Sequence, residues 1–206
     1  MTYEHAKLYK FQESALAHQL LDGKEGIEVG GSAHNPFNIP GCKNVDYTDD
    51  MDTVFKKAEI DICGKALPVD IVADGSNLPF PDESLDYIVS SHVMEHFYDP
   101  IGVLEKWMKI IRPGGYIFSI VPLRDNPYDK DRPLTTWQEL LERHNNPDLK
   151  VDLNPTTIHE HFSVWSGEGF LEMCINMGLH VVAYQPRDDK VGNGFCCVIK
   201  KAEKIL

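Results

Sequence analysis

The stretch that decides the fold is LDYIVSSHVMEHFYDPIGVLEKWMKIIRPGGYIFSIVP, residues 85–122. Its two ends are apolar runs of strand length, and residues 99–113 between them have the pattern of a helix. Asp99 is a candidate N-cap, Pro100 suits the first turn, and Pro113-Gly114-Gly115 is expected to end the helix. A strand, a helix and a second strand form a crossover between parallel strands, so the sequence predicts an α/β sheet with its ligand site at the carboxyl ends of the strands.

Outside this stretch the same kind of pattern recurs along the chain. A first helix is expected over about residues 3–21, because apolar residues recur there at three- and four-residue spacing. Short apolar runs give seven candidate strands, centred near residues 27, 45, 71, 88, 118, 182 and 197.

Length and composition indicate one globular domain. The 206 residues suit a single core, and 42% hydrophobic with 25% charged residues is ordinary for a soluble protein. No apolar run approaches the roughly 18 residues that span a bilayer, and the N-terminus lacks the pattern of a secretion signal. A net charge of −12 disfavours nucleic acid and anionic membranes as partners.

The cysteines point to a reducing compartment. There are 5, at no metal-binding spacing, so we expect them to be reduced and the protein to be cytoplasmic. Cys196 and Cys197 are adjacent in a candidate strand and should therefore face opposite sides of the sheet.

Residues 1–206 are interpreted as one domain with a polar, proline-rich insertion after the fifth strand. Insertions of this length are usually functional, so a lid over the carboxyl edge is predicted. Within it, Thr135 or Thr136 with Gln138 or Glu139 offers a capping box. The segments are the N-terminal helix (1–22), the half with the first five strands (26–121), the insertion (122–165), and a closing helix with two strands (166–206).

Residues 27–41, IEVGGSAHNPFNIPG, run from a strand into a turn that contains glycine. Only twelve residues separate Gly31 from Asn44, and Pro36 and Pro40 interrupt them, so a loop or a single turn is expected where nucleotide-binding folds have a helix. Without the dipole of a helix N-terminus, an anionic ligand group would need other donors. The candidates are Ser32, His34 and Asn35.

The order of several motifs resembles the class I S-adenosylmethionine-dependent methyltransferases, in particular their small-molecule branch. Glu28 and Gly30 match the start of the first motif, although Ser32 and His34 stand where that family has its second and third glycines. VADGSNLPFPDESLDYIVSSHVMEHFYDP covers the third and fourth strands, IIRPGGYIFSIVP begins the fifth, and HFSVWSGEGFLEMCINMGLHVVAY is similar to the closing helix and strand.

What the resemblance implies is a Rossmann-like methyltransferase fold, with a seven-stranded, mostly parallel sheet and flanking helices. S-adenosylmethionine would be the cofactor. Asp46 would accept from the ribose hydroxyls and Asp74 from the adenine amino group, although each can also be read as an ordinary turn acid. The expected cofactor contacts are Glu28, Gly30, Gly31, Ser32, Asp46, Asp74, Gly75, Ser90 and Ser91.

Residues 92–96, HVMEH, carry a competing signal. On a helix, this spacing sets His92, Glu95 and His96 on one face, as in an inverted zinc-protease motif. The same letters recur in the methyltransferases that the chain resembles, so a metalloprotease is disfavoured and no metal is assigned, while a metal-assisted transfer stays open. Further ligands could come from His159, Glu160 and His161.

Methyl transfer needs an aligned donor and acceptor, and a base if the acceptor is a hydroxyl. His92 and His161 are the first candidates for that base, and His96 and His159 are the second. A structural role is the alternative for each histidine.

The sequence therefore predicts methyl transfer from S-adenosylmethionine to a small polar acceptor, on oxygen or nitrogen. Residues 129–146, with HEHF after them, resemble methyltransferases associated with bacterial surface polysaccharides, which implies a sugar or a nucleotide-sugar as acceptor. The alternative is a catalytically inactive domain that binds a nucleoside or a protein partner. The oligomeric state is not predicted.

Overall fold

The computed structural model describes residues 12–127, 129–146 and 161–203, and its centre is a seven-stranded sheet. The strands are β1 (Gly26–Val29), β2 (Lys43–Asp46), β3 (Ile71–Val72), β4 (Leu85–Ser91), β5 (Ile111–Pro122), β6 (Val181–Gln185) and β7 (Gly194–Lys200). The α-helices are α1 (Ala15–Leu21), α2 (Val54–Cys63), α3 (Pro100–Ile110), α4 (Trp137–Asn145) and α5 (Gly167–Asn176), and Gly75–Asn77 and Met94–His96 are short 3₁₀ helices.

The strand order is β3-β2-β1-β4-β5-β7-β6. Strands β1 to β5 pair in parallel, whereas β7 is antiparallel to both β5 and β6. The chain leaves β1 toward β3 on one side and returns to β4 on the other, which creates the crevice where open α/β sheets bind ligands. The predicted seven-stranded, mostly parallel sheet is confirmed.

The crossover from β4 to β5 forms as the sequence predicts. Asp99 caps α3 by accepting a hydrogen bond from the backbone N–H of Gly102 at 2.9 Å, and Pro100 is the first helical residue. The apolar stripe of α3 is buried against the sheet. Trp107 of this stripe also donates its indole N–H to the carbonyl of Gly75 at 2.8 Å, so α3 fixes the turn after β3.

The prediction that Pro113-Gly114-Gly115 ends the helix was wrong, because α3 ends at Ile110 and β5 follows it without a break. These three residues lie inside β5, where they form an irregularity. The pairing with β4 shifts there, from Leu85 opposite Ile111 to Tyr87 opposite Tyr116. Gly114 has a φ of 82°, a left-handed conformation that glycine adopts without strain.

Helix α2, between β2 and β3, was missed from the sequence. Thr53 caps it by accepting from the N–H of Lys56, and Gly64 ends it with a φ of 74°. Its buried residues are Lys56 and Glu59, which are both charged, so the helix lacks the apolar stripe that periodicity detects. Both side chains pair with residues at the carboxyl edge of the sheet.

Apolar cores cover both faces of the sheet. One contains residues of α3 and α5, including Leu104 and Phe170, and the other contains Leu21 of α1. Cys197 belongs to the first core and Cys196 to the second, which confirms that these neighbours face opposite sides.

The insertion over residues 122–165 is described in part. Thr136 and Glu139 form the predicted capping box at the start of α4. Near the other end of α4, Nδ1 of His144 lies 3.0 Å from a carboxylate oxygen of Asp99, which ties this helix to the start of α3. The role of the insertion as a lid stays a prediction.

At the N-terminus, residues 15–21 of the predicted first helix are helical, and residues 1–11 lie outside the described chain. Within residues 12–127, 129–146 and 161–203, no helix combines the length and the apolar character that crossing a membrane requires.

Candidate active site

The carboxyl ends of β1, β2 and β4 bring together several residues that the sequence assigned to the cofactor. Val29 of β1 pairs with Ser90 of β4 on one side and with Val45 of β2 on the other, so the three strand tips lie side by side. We call this region the cofactor edge. It is defined by Gly30, Asp46, Asp74 and Ser91.

The turn after β1 is a loop, as the spacing of the prolines predicts. No helix lies between Gly31 and Lys43, a segment that the structure describes completely. Gly30 is exposed and has a φ of 69°, and a Cβ atom there would lie 2.7 Å from Cγ2 of Val93. A Cβ on Gly31 would lie 2.5 Å from Oδ1 of Asn44. Both glycines are closely packed in the turn, and the left-handed φ of Gly30 favours glycine.

Lys190, from the turn between β6 and β7, holds this loop in place, and sequence reasoning missed it. Its ammonium group donates to the backbone and side-chain oxygens of Asn35 and lies 4.7 Å from the ring centroid of Phe37. Asn35 donates in turn to Oγ of Ser91 at 3.4 Å. Because Lys190 and Asn35 are 155 residues apart, no local pattern signals the contact.

Glu28 lies beneath the same loop and does not reach the open edge. Its carboxylate is buried and accepts from the N–H of Phe37 at 3.1 Å. Burial raises the pKa of Glu28 to about 7, against the opposing positive charge of Lys190. Burial also lowers the pKa of Lys190 to about 8, against the negative charges of Glu28 and of two neighbouring aspartates. The structure thus places Glu28 in the support of the loop.

Asp46 is at the tip of β2, where Lys56 of α2 contacts it. The ammonium group of Lys56 donates to Oδ2 at 2.6 Å, and the backbone N–H of Tyr47 donates to Oδ1 at 2.8 Å. A carboxylate offers about four acceptor positions, so Asp46 retains capacity for two hydroxyl donors. The residue fits the role in ribose binding that the resemblance implies.

Asp74 and Gly75 follow β3. Asp74 is exposed, and its Oδ1 accepts from the N–H of Ser76 at 2.8 Å, which is the contact of an ordinary turn acid. Gly75 is packed tightly, because a Cβ atom there would lie 2.9 Å from Cγ1 of Val29 and 3.1 Å from the ring of Phe97. Asp74 is accessible to a ligand, whereas Gly75 has a demonstrable packing role.

The expected serine contacts differ in accessibility. Ser90 is fully buried and donates its hydroxyl to Oγ of Ser119 at 3.4 Å, so the structure does not bring it to the open edge. Ser91 is half-buried at the edge itself. Of the donors suggested for an anionic group, Asn35 contacts Lys190, while His34 lies 2.6 Å from Glu59 and 3.5 Å from Ser32.

Beyond β4, three histidines surround one buried carboxylate. Oε1 of Glu95 lies 3.9 Å from Nδ1 of His92, 3.9 Å from Nε2 of His96 and 4.0 Å from Nε2 of His161. These distances are too long for hydrogen bonds, and Oε2 of Glu95 has no hydrogen-bond partner among the described residues. We call the four residues the histidine cluster.

HVMEH does not form the α-helix on which the spacing of an inverted zinc-protease motif would depend. Met94–His96 is a single 3₁₀ turn, and His92 precedes it with a φ of 57°. His92 and His96 therefore approach Glu95 from irregular backbone. A left-handed φ is uncommon for a residue other than glycine, and strain of this kind is found most often at functional sites.

His161 is held from the insertion by a carboxylate. Its Nδ1 lies 2.6 Å from Oδ2 of Asp129, which directs Nε2 toward Glu95. Arg132 donates to both Asp129, at 2.7 Å, and the carbonyl of His161, at 2.7 Å. The pair of His161 with Asp129 was not foreseen from the sequence. The other predicted base, His159, lies outside the described residues.

Burial controls the ionisation of the cluster. It raises the pKa of Glu95 to about 8 and lowers the pKa of His92 to about 4, although the charge of Asp188 and a hydrogen bond with Asn193 oppose the second shift. Near neutral pH the protonated form of Glu95 and the neutral form of His92 are favoured. A buried polar atom without a partner costs about 1–3 kcal/mol, so a cluster of this kind is tolerated where its groups have a use.

Residues 30–119 match the model of a methyltransferase domain family. The matched region runs from the turn after β1 into β5. It contains the whole cofactor edge and three members of the histidine cluster, while His161 lies beyond it.

Two curated relatives show how far the sequence similarity extends. An uncharacterised protein of Methanocaldococcus jannaschii is 29% identical over 126 residues, which cover 60% of this chain and 56% of that protein. The phthiotriol/phenolphthiotriol dimycocerosates methyltransferase of Mycobacterium tuberculosis is 35% identical over 145 residues, which cover 63% of this chain and 50% of that protein. The chain thus spans about half the length of these curated relatives.

Solved structures share the fold over nearly the whole chain. An S-adenosylmethionine-dependent methyltransferase from Aquifex aeolicus gives a TM-score of 0.54 at 15% identity, covering 94% of this chain and 92% of that chain. A methyltransferase from Thermotoga maritima gives a TM-score of 0.52 at 17% identity, covering 97% of this chain and 89% of that chain. Such identities show the fold alone, but the domain match falls on the strand tips described above. Together, the domain match and the shared fold support a class I S-adenosylmethionine-dependent methyltransferase, a family whose cofactor is S-adenosylmethionine.

Proposed function

We propose that the protein transfers the methyl group of S-adenosylmethionine to an oxygen or nitrogen atom of a small polar acceptor. The observation that carries this proposal is the adjacency of the two regions on one sheet edge. Ser91 of the cofactor edge is followed directly by His92 of the histidine cluster. The methyl donor and the acceptor must meet in line. In this arrangement, the residues proposed for the cofactor are adjacent to those proposed for the acceptor.

On the cofactor side, three residues are proposed to hold the adenosyl group. Asp46 accepts from the ribose hydroxyls with its remaining capacity, and the exposed Asp74 accepts from the adenine amino group. The exposed backbone at Gly30 lets the cofactor approach the tip of β1. When bound, the cofactor supplies a methyl group already activated by its sulfonium.

On the acceptor side, His92 is the proposed proton acceptor for a hydroxyl or amine. Of the three histidines in the cluster, His92 is the one that directly follows β4, the strand that pairs with β1. Its neighbour in sequence, Val93, packs against the turn at Gly30. The strained backbone of His92 supports a functional role. His96 and His161 are proposed to line the acceptor position.

A sugar or a nucleotide-sugar is the proposed acceptor class. The support is the likeness of residues 129–146 to methyltransferases associated with bacterial surface polysaccharides. This segment includes α4 and Asp129, which contacts His161 of the cluster. Groups that accept and donate hydrogen bonds suit a polyhydroxylated ligand.

The proposal is tested in two steps on the unmodified protein. Isothermal titration calorimetry with S-adenosylmethionine and with S-adenosylhomocysteine should give one site per chain, with micromolar affinity. A panel of sugars, nucleotide-sugars and small amines is then screened for release of S-adenosylhomocysteine.

The outcomes separate the two functions that the sequence left open. Cofactor-dependent release with a member of the panel supports the enzyme. The absence of binding to either cofactor form would overturn the proposal and favour a catalytically inactive domain that binds a nucleoside or a protein partner. Binding of the cofactor without turnover on sugars or amines would overturn the proposed acceptor class.

A further inference from the structure

We infer that Glu95, His96 and His161 bind a divalent transition-metal ion, for which Zn²⁺ is the probe. Each residue offers one ligand atom, and these atoms all lie within 4.8 Å of one another. Two imidazole nitrogens and a carboxylate oxygen form a donor set that suits zinc and its neighbours in the first transition row. This binding does not depend on methyl transfer.

The spacing of the three ligand atoms is close to that of a tetrahedral site. With metal–ligand distances near 2.1 Å, two ligands of a tetrahedral zinc ion lie about 3.4 Å apart. Oε1 of Glu95 is 3.9 Å from Nε2 of His96 and 4.0 Å from Nε2 of His161. Metal binding would therefore require these ligand atoms to approach one another by about half an ångström. The observed distances are too long for direct hydrogen bonds.

The carboxylate of Glu95 supplies independent support. The side chain is 1% exposed, and Oε2 has no hydrogen-bond partner among the described residues. Its backbone is fixed, because the carbonyl of Glu95 accepts from the N–H groups of Phe162 at 2.8 Å and Ser163 at 3.2 Å. These contacts bring the segment of His161 to the loop after β4, so the ligands from distant parts of the chain are held together.

His161 also has the carboxylate neighbour that histidine ligands of metals commonly have. Asp129 Oδ2 lies 2.6 Å from Nδ1 of His161, which fixes the ring with Nε2 on the side of Glu95. Asp129 is itself oriented by Arg132 and by the side-chain amide of Asn126, at 2.7 and 2.8 Å. A carboxylate behind a histidine in this way holds the ring in one orientation.

Metal binding is tested on the full chain, expressed without a histidine tag and treated with a chelator. Calorimetric titration with Zn²⁺ should show one ion per chain. Co²⁺ should give the visible absorption bands of a site with nitrogen and oxygen ligands. Glu95→Gln and His161→Ala should each weaken Zn²⁺ binding at least tenfold, and Asp129→Asn should weaken it about 10- to 100-fold.

His18→Ala is the matched control, because His18 also has a carboxylate neighbour, Asp22 at 2.7 Å, but lies outside the cluster. It should bind Zn²⁺ like the parent. Thermal unfolding shows which variants fold. If a variant does not fold, His96→Gln is used in its place, because His96 is the more exposed ligand. The inference is overturned if the parent does not bind Zn²⁺, or if folded Glu95→Gln and His161→Ala bind it like the parent.

These outcomes are independent of the proposed function, because the readouts are affinity and the Co²⁺ spectrum. Binding of Zn²⁺ without binding of S-adenosylmethionine would support the metal site and contradict the proposed methyl transfer. Binding of S-adenosylmethionine without binding of Zn²⁺ would contradict the metal site and leave the proposed methyl transfer in place.

Discussion

The cofactor edge and the histidine cluster are neighbours in the fold, but their charged groups are satisfied differently. Around the cofactor edge, Asp46 lies 2.6 Å from Lys56, and Glu59 lies 2.6 Å from His34. In the cluster, the carboxylate of Glu95 is 3.9 to 4.0 Å from the histidine nitrogens around it. The carboxylates of the first region form short ion pairs within the chain, whereas the carboxylate of Glu95 makes no short contact with the three histidines.

The difference indicates that the two regions have different roles. The internal pairs at the cofactor edge fix its shape before any ligand binds, which compensates for the missing helix after β1. The cluster retains polar atoms whose capacity a substrate or an ion can use. Changes in the first region should therefore alter stability and cofactor affinity, and changes in the second should alter turnover.

The largest effect is expected at His92, where His92→Asn removes the imidazole but keeps a residue type that tolerates a left-handed φ. Methyl transfer should slow on the order of 10²- to 10⁴-fold, while the affinity for S-adenosylhomocysteine stays at the parent value. Release of S-adenosylhomocysteine measures the first quantity and calorimetry the second. The exposed His180→Asn is the control. Parent-like turnover in His92→Asn would contradict the proposal that the histidine cluster serves turnover.

The next largest effect is expected for Lys190→Met, which removes the contact between Lys190 and the loop after β1. The buried ammonium group donates two hydrogen bonds to Asn35, and their loss should lower the free energy of unfolding by about 1.5–3 kcal/mol. Urea unfolding measures the change. Lys57→Met removes an exposed lysine that pairs with the exposed Asp52 and should unfold like the parent. Equal effects of the two substitutions would show that this contact contributes nothing specific.

Glu28→Gln is expected to change the pH dependence of stability. The folded pKa of Glu28 is raised to about 7, from 4.5. Between these values the native state keeps a proton that the unfolded chain has lost, so this group makes stability fall as pH rises, by up to about 1.4 kcal/mol per pH unit. Urea unfolding across this window should show a flatter profile in the variant. Parallel profiles would contradict the burial of an ionisable Glu28.

The smallest effect is expected from the contact of the first turn with the loop after β4. Gly30→Ala combines a left-handed φ of 69° with a Cβ atom 2.7 Å from Val93, whereas Gly23→Ala has a φ of 77° and open space around the Cβ. The two variants share the backbone strain, so the difference in unfolding free energy isolates the clash. It should be about 1 kcal/mol. No difference would mean that Val93 yields freely.

Much of the fold follows from local patterns in the sequence. The cap at Asp99, the capping box at Thr136 and the prolines after β1 each determine structure within a few residues, and each was predicted correctly. Helix α2 was missed because its buried side chains are charged, and these charges are matched only by residues elsewhere in the chain.

The candidate site was predictable in its residues more than in its contacts. His92, Glu95, His96 and His161 were all named from the sequence, yet the 3₁₀ turn that arranges them has no helical periodicity. The groups that support the site lie outside the local motifs that identified it. Lys190, Lys56 and Asp129 each act through a contact that only the folded chain creates.

The central claim is that the strand tips around Gly30 hold the adenosyl group, with Asp46 as a principal contact. Calorimetry of S-adenosylhomocysteine binding to Asp46→Asn, beside Asp52→Asn as the control at an exposed acid, tests it most directly. We expect at least tenfold weaker binding by Asp46→Asn, which corresponds to about 1.4 kcal/mol, and parent affinity for Asp52→Asn. A folded Asp46→Asn that binds as tightly as the parent would contradict the claim.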